Sequence, residues 1–106
     1  MLLDMINMNT QQAVAHIIQE LCREHGITPN GISISAGVPQ ATVKSILNGE
    51  SKNPGIVTIK KLCDGFGITL GQFFNTPEFD SLEQELKWYY LNWMRKPSEA
   101  AQDLKK

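Results

Sequence analysis

The stretch that decides the fold covers residues 28–48 and reads TPNGISISAGVPQATVKSILN. Thr28-Pro29 is a good helix start, because threonine can cap the first turn and proline suits its first position. Gly37-Val38 then turns the chain, and a second segment is predicted to begin with Pro39 as its first helical residue and to end at Gly49. Two short helices joined by a tight glycine turn form a helix-turn-helix.

The second segment has one apolar and one polar face. Val43, Ile46 and Leu47 stand at i, i+3 and i+4, which predicts a stripe that packs inward. The residues that face away are small or polar: Gln40, Ala41, Lys44, Ser45 and Asn48. Amide, hydroxyl and lysine side chains can all pair with base edges in a DNA major groove. On a lone helix the same face would be an ordinary solvated surface. Whether it is a solvated surface or a base-reading surface therefore depends on the neighbouring segments.

The first segment carries mixed signals. Asn30-Gly31 is a hairpin-turn dipeptide, and residues 32–35 alternate with the period of a strand. These four residues have no evident partner strand, and the segments around them are helical. We therefore predict a helix here.

A helix is also predicted before this unit. Asn9 and Gln12 have the spacing of a capping box, and Gly26 followed by Ile27 is a typical helix end. The apolar stripe between them consists of Val14, Ile17, Ile18, Leu21 and Cys22.

Two more helices are predicted after it. One runs from about Ile56 to Phe66 and closes at Gly67, and a very short one follows Thr69, which has capping-box spacing with Gln72. Their apolar stripes are Ile59, Leu62, Cys63 and Phe66 in the first, and Leu70, Phe73 and Phe74 in the second. Five helices within about 65 residues predict a compact all-α bundle.

Composition favours one ordinary globular domain. The 106 residues are 42% hydrophobic and 20% charged, which argues against disorder. No apolar run approaches the roughly 20 residues of a membrane-spanning helix. The opening MLLDMINM lacks the basic region and cleavage site of a secretory signal, so we expect a cytoplasmic protein without a membrane partner.

Charge is distributed unevenly although the net charge is only −1. Residues 36–61 contain four lysines and Glu50, which gives 4 − 1 = +3. From residue 77 to the end there are six acids and five bases. The positive potential is therefore local to the helix-turn-helix region and weak, so a single copy should bind DNA poorly.

The sequence offers no pattern of catalytic or metal-binding residues. Cys22 and Cys63 are too far apart for a disulfide scaffold and lie on apolar stripes, which predicts buried thiols. Cys22 and His25 have ligand-like spacing, but zinc needs a second pair of ligands. A phosphate loop, a His-Glu metal pair and a nucleophile with a spaced base are all absent from the sequence. We expect no enzymatic activity, no cofactor, no bound metal and no small-molecule substrate.

The order of features from residue 28 to 74 resembles the phage-repressor type of helix-turn-helix domain, the lambda repressor and Cro group with its xenobiotic-response-element branch. The resembling motifs are AGVPQATVKSILNG, a basic-polar loop ending in NP, and TIKKLCDGFGITLGQFF. This resemblance implies a compact five-helix lambda-repressor-like DNA-binding domain, to which an additional C-terminal helix is attached.

The resemblance also implies which residues contact double-stranded DNA. Those placed against the bases are Gln40, Ala41, Thr42, Lys44 and Ser45. Thr28 and Asn48 fall at helix ends that approach phosphates, where unpaired N–H groups are available. Lys52, on the loop after the second segment, either touches a phosphate or is a solvated loop lysine.

Three residues depart from the family pattern. Pro29 stands where the family often has a glutamine at the DNA surface, so one phosphate contact is expected to be lost. Gly31 is expected to weaken and distort the first helix of the motif. Pro39 replaces the usual hydroxyl cap.

The remaining residues, 77–106, lie outside the resemblance. Asp80 or Ser81 is predicted to cap a helix from about Leu82 to Arg95, which Pro97 follows. Its apolar surface extends over more than one face and includes the candidate interface residues Trp88, Tyr89, Leu91 and Trp93. Packing on the parent domain and a homodimer interface both remain open for this helix.

These observations predict a sequence-specific DNA-binding transcriptional regulator, a repressor, for which a homodimer remains open. Residues 9–76 would form its DNA-binding domain and residues 77–106 a helical extension. The alternative is a protein-interaction module, such as an antitoxin or a regulator's partner, that binds through the aromatic extension.

Overall fold

A computed structural model describes residues 8–83 and 85, and within these residues the chain forms helices and no strand. The helices are α1 (Thr10–His25), α2 (Pro29–Ala36), α3 (Gln40–Leu47), α4 (Ile56–Phe66), α5 (Leu70–Phe74) and α6 (Pro77–Asp80). The all-α prediction is confirmed, and the first five helices lie where the sequence indicated. No helix in the described part of the chain is long and apolar enough to cross a membrane.

Side chains cap the starts of α1 and α5 in the same way. Asn9 Oδ1 accepts a hydrogen bond from the Gln12 N–H at 2.8 Å, and Gln12 Oε1 accepts one from the Asn9 N–H at 2.9 Å. Thr69 and Gln72 repeat this exchange at 3.0 and 2.9 Å. Both predicted capping boxes are confirmed, and each satisfies two backbone donors that the helix itself leaves unpaired.

Three helices end with one repeated motif. Gly26, Gly37 and Gly67 have φ of +62°, +67° and +75°, values that glycine adopts without steric cost. In each case the N–H of the following apolar residue bonds back to the helix. These bonds run from Ile27 to the Cys22 carbonyl at 3.0 Å, from Val38 to Ser33 at 2.9 Å and from Ile68 to Cys63 at 3.0 Å. The chain is thereby turned so that each apolar residue returns to the bundle.

The core lies where α1, α2, α3 and α4 meet, with α5 packed on α4. Its buried residues are Val14, Ile17, Ile18, Cys22, Ile32, Val38, Val43, Ile46, Ile59, Leu62, Cys63, Phe66 and Phe73. The predicted stripes are therefore buried apart from Leu21, Leu47, Leu70 and Phe74, which are partly buried against the same core. Burial raises the pKa of both the Cys22 and the Cys63 thiol, so both are neutral packing groups.

The mixed signals in α2 are resolved in favour of the helix. Every residue from Pro29 to Ala36 is helical, and Ser33 is buried with its hydroxyl donating to the Asn30 carbonyl at 2.7 Å. A Cβ on Gly31 would lie 2.8 Å from Ile27 Cγ1. The missing side chain at Gly31 therefore leaves room for Ile27 to fold over the start of α2. Because α2 is helical throughout, the prediction that Gly31 distorts it was wrong.

Close contact between α2 and α4 depends on a second glycine. A Cβ on Gly65 would lie 3.0 Å from both Ala36 Cβ and Ile32 Cδ1. Separations of that kind are tighter than ordinary van der Waals contact. The two helices approach so closely because α4 has no side chain at this point.

The start of the C-terminal extension differs from the prediction. Residues 77–80 form α6, which packs on α1, and the Phe79 ring lies 4.9 Å from that of Phe74. Ser81 closes α6 by donating from its hydroxyl to the Pro77 carbonyl at 2.9 Å, whereas Leu82 and Glu83 are not helical. The prediction that a helix starts at Leu82 was therefore wrong. The chain instead forms a four-residue helix at 77–80, for which Thr76 is the N-cap and Pro77 the first residue. The rest of that predicted helix, with Trp88, Tyr89, Leu91 and Trp93, lies outside the described residues.

Candidate nucleic-acid interface

The two faces of α3 are separated as the sequence predicted. Val43 and Ile46 are each 1% exposed, and they fix the helix against the core. The opposite side is open to solvent: Gln40, Ala41 and Lys44 are exposed, and Thr42 and Ser45 are partly exposed. The five side chains predicted to read bases therefore share an accessible surface.

The start of α3 lies one residue later than predicted. Pro39 is the N-cap, with φ −56° and ψ 141°, and Gln40 is the first helical residue. Proline suits both positions, because neither needs its N–H. Since α3 has no side-chain cap, the first-turn N–H groups of Gln40 and Ala41 have no side-chain acceptor from the cap position. An uncapped helix start is suited to binding an anion.

A cleft of about 550 Å³ separates α3 from the start of α2. It is lined by Pro29, Asn30, Gln40, Ala41, Val43, Lys44, Leu47 and Asn48. Beside it, Thr28 caps α2 by accepting a hydrogen bond from the Gly31 N–H at 3.0 Å. The Thr28 hydroxyl can still donate its own proton to another acceptor, such as a phosphate oxygen.

The end of α3 is held by a polar loop. Gly49 has φ +84°, as predicted for a residue just past a helix end, and Asn48 is the C-cap. Asn48 Nδ2 donates to Glu50 Oε1 at 2.7 Å, and the Glu50 N–H donates to Asn48 Oδ1 at 3.1 Å. The Ser51 N–H bonds to the Ser45 carbonyl at 3.0 Å, which folds the loop back over α3. No sequence pattern indicated these two hydrogen bonds between Asn48 and Glu50.

A second cleft, of about 470 Å³, lies between α1 and the loop after α3. Lys52 and Asn48 are part of its lining, together with polar residues of α1 that include Gln11 and Gln12. Asn48 lines both clefts, so it joins the Lys52 side of the surface to the Lys44 side. The structure therefore brings together Lys44, Asn48 and Lys52 around the end of α3.

The positive charge of this surface rests on few residues. Lys60 forms an ion pair with Asp64, which lies just beyond residues 36–61. The net charge of residues 36–64 is therefore 4 − 2 = +2. In the part of the chain that the structure describes, Lys44 and Lys52 are in no ion pair.

The structure provides no donor set for a metal at this surface. Among residues 8–83 and 85, no three His, Cys, Asp or Glu side chains are grouped so that they could hold an ion. His25 Nδ1 lies 2.9 Å from the Leu21 carbonyl oxygen, and its ring packs 5.4 Å from that of Phe66. These contacts give His25 a packing role against Phe66.

Comparison with known proteins identifies the fold. Residues 17–78, more than half of the chain, match the family described as the Cro/C1-type HTH DNA-binding domain. The chain belongs to this family. It is also similar to the crystal structure of the prophage Lp1 protein 11, with 35% sequence identity and a TM-score of 0.63. That match covers 69% of this chain and 97% of the other. No curated protein matches the chain. The resemblance to phage-repressor-like domains is confirmed, and the chain is a DNA-binding regulator of the Cro/C1 type.

Proposed function

We propose that this regulator is a sequence-specific repressor that inserts α3 into the DNA major groove. One observation carries the proposal. Gln40 and Lys44 are exposed on the same helix whose Val43 and Ile46 are buried, so the polar face is held outward by the core. A recognition helix requires this combination of a fixed orientation and a free polar face.

The side chains of α3 suggest a role for each base contact. Gln40 can pair bidentately with adenine, and Lys44 can reach guanine or a phosphate. The hydroxyls of Thr42 and Ser45 can serve as donors or acceptors, and the Ala41 methyl can contact the methyl group of thymine. Together they offer donors, acceptors and an apolar surface to successive base pairs.

Phosphate contacts would hold α3 in register. We assign them to Thr28, whose hydroxyl proton is free to donate, to Lys52, and to the second amide proton of Asn48. The uncapped N–H groups at the start of α3 can bind a further phosphate. Contacts of this type position the protein but carry no sequence information themselves.

A weak positive charge favours binding as a dimer, because two copies double the number of phosphate contacts. Two copies would read half-sites about 34–36 Å apart. We propose residues 9–76 as the DNA-binding domain and residues 77–106 as an extension that dimerises or binds a partner. The candidate interface residues, Trp88, Tyr89, Leu91 and Trp93, belong to this extension. In this proposal the protein acts without a cofactor and catalyses no reaction.

Selection from a random duplex pool at two salt concentrations tests the proposal. We expect a palindromic consensus whose affinity falls steeply with salt, because bound phosphates release counterions. Enrichment of no sequence at either salt concentration would contradict sequence-specific recognition. A consensus without two-fold symmetry would contradict the dimer but leave base reading intact.

A further inference from the structure

Glu50 is the only acidic residue between Glu24 and Asp64, a stretch that contains the whole helix-turn-helix. Its carboxylate is exposed beside a surface that otherwise carries Lys44 and Lys52. Close to DNA a carboxylate is repelled by phosphates, so it lowers affinity unless it contacts a donor group. Hydrogen-bond donors accessible to a protein in the major groove are the amino groups of the bases.

The loop holds Glu50 beside α3 instead of leaving it free in solvent. Asn48 and Glu50 exchange two hydrogen bonds, of 2.7 and 3.1 Å. One residue further on, the Ser51 N–H bonds to the Ser45 carbonyl of α3 at 3.0 Å. The backbone is thus held by hydrogen bonds at Glu50 and Ser51, and the Glu50 carboxylate accepts one hydrogen bond from Asn48. This bond reduces the conformational freedom that the side chain loses when a ligand binds.

Glu50 lines a shallow cleft on the outer face of α3. This cleft measures about 420 Å³, and its lining consists of Ala41, Thr42, Ser45, Glu50 and Ser51. Three of these five residues are ones we propose as base contacts. Asn48 bonds only one carboxylate oxygen, Oε1, so the other keeps its full capacity to accept hydrogen bonds.

We propose that Glu50 is a specificity-determining residue that reads cytosine by accepting a hydrogen bond from its N4 amino group. This inference rests on the proposed function, since it requires α3 to lie in the major groove. Cytosine presents a donor there, whereas guanine presents two acceptors, O6 and N7, that a carboxylate repels. Adenine presents its N7 acceptor beside the N6 amino group, which makes it a poorer partner for a carboxylate than cytosine is.

Duplex selection with four proteins tests this role: the unaltered chain, Glu50→Gln, Glu50→Ala and the control Glu24→Gln. Glu24 is exposed on α1, and Glu24→Gln removes the same charge from outside the three clefts. The unaltered chain should enrich cytosine over guanine about tenfold at one position of each half-site. Glu50→Gln should change the preference there to adenine, because an amide pairs with adenine N6 and N7. Glu50→Ala should show no preference at that position, and Glu24→Gln should select the unaltered consensus.

The thermal unfolding midpoint of each variant shows whether a changed consensus results from a loss of folding and not from a lost base contact. Glu50→Gln should keep its fold, because its amide oxygen can still accept the hydrogen bond from Asn48. One identical consensus for all four proteins would overturn the role of Glu50, even if both Glu50 variants bound every sequence more tightly. The proposed function would survive that result. Failure of the unaltered chain to select any consensus would instead overturn the proposed function, and the reading of cytosine with it.

Discussion

The end of α3 differs from the ends of α1, α2 and α4, although a glycine with positive φ follows all four helices. After the other three, an isoleucine or valine returns at once to the core. After α3 the chain continues with Glu50 and Ser51, which bond to Asn48 and Ser45 at the surface. The three helices are fastened at their ends by apolar contacts, whereas α3 ends in a polar loop that remains accessible to a ligand.

The start of α3 also lacks a side-chain cap. α1 and α5 have complete capping boxes and α2 is capped by Thr28, whereas α3, whose N-cap is Pro39, has no side-chain cap, and neither do α4 and α6. A helix of eight residues is unstable by itself in water, so α3 depends on its buried face. This arrangement leaves both ends and the outer face of the helix available for DNA.

Truncating the buried face of α3 should have the largest effect on stability. Ile46→Ala removes a fully buried side chain and should cost about 2–5 kcal/mol in the free energy of unfolding, measured by urea denaturation. Ile34→Ala on α2 is the matched control, because Ile34 is 76% exposed. Its cost should stay within about 0.5 kcal/mol. Equal losses for the two variants would contradict the view that the buried face holds α3 in place.

Disturbing the end of α2 should have a smaller effect. Gly37→Ala forces a Cβ into the left-handed conformation at φ +67°, which costs about 1–2 kcal/mol in the free energy of unfolding. Gly71→Ala is the control, since its Cβ would meet only Thr69 Oγ1 at an ordinary 3.7 Å within α5. That variant should be neutral or gain up to about 1 kcal/mol. A Gly37→Ala protein as stable as Gly71→Ala would mean that the glycine turn does not constrain the motif.

The sequence predicted the features that depend on near neighbours. Capping boxes at Asn9 and Thr69 and the glycine ends at Gly26, Gly37 and Gly67 each follow from residues a few positions apart, and the structure confirms them. The apolar stripes were equally readable, because a helix repeats every 3.6 residues.

The features that were missed depend on geometry that spacing does not encode. Pro39 suits the N-cap and the first helical position alike, so the start of α3 was placed one residue early. Gly31 looked unfavourable for a helix until the structure showed Ile27 folded against it. The bonds between Asn48 and Glu50 depend on how the chain turns at Gly49. Among these missed features, only α6 could have been predicted from the sequence, since Thr76-Pro77 repeats the Thr-Pro pair that starts α2 at Thr28-Pro29.

Removing the lysine of the loop should have a small effect that does not depend on base sequence. Lys52→Ala should weaken binding to all duplexes alike and reduce the slope of log K against log salt by about 1. Arg23→Ala removes the same charge, but Arg23 pairs with Glu20 on α1 and lines none of the three clefts. Its salt slope should equal that of the unaltered chain. A loss confined to the selected sequence would show that Lys52 contacts a base instead.

The central claim, that the outer face of α3 reads bases, is tested most directly by measuring Gln40→Ala binding to the selected duplex and to its single-base variants. We expect a loss of about 1–3 kcal/mol on the selected duplex, and discrimination should disappear at one base position only. Gln40 is exposed, so the fold should be unaffected. Equal losses on the selected duplex and on a random duplex would contradict base reading by this helix.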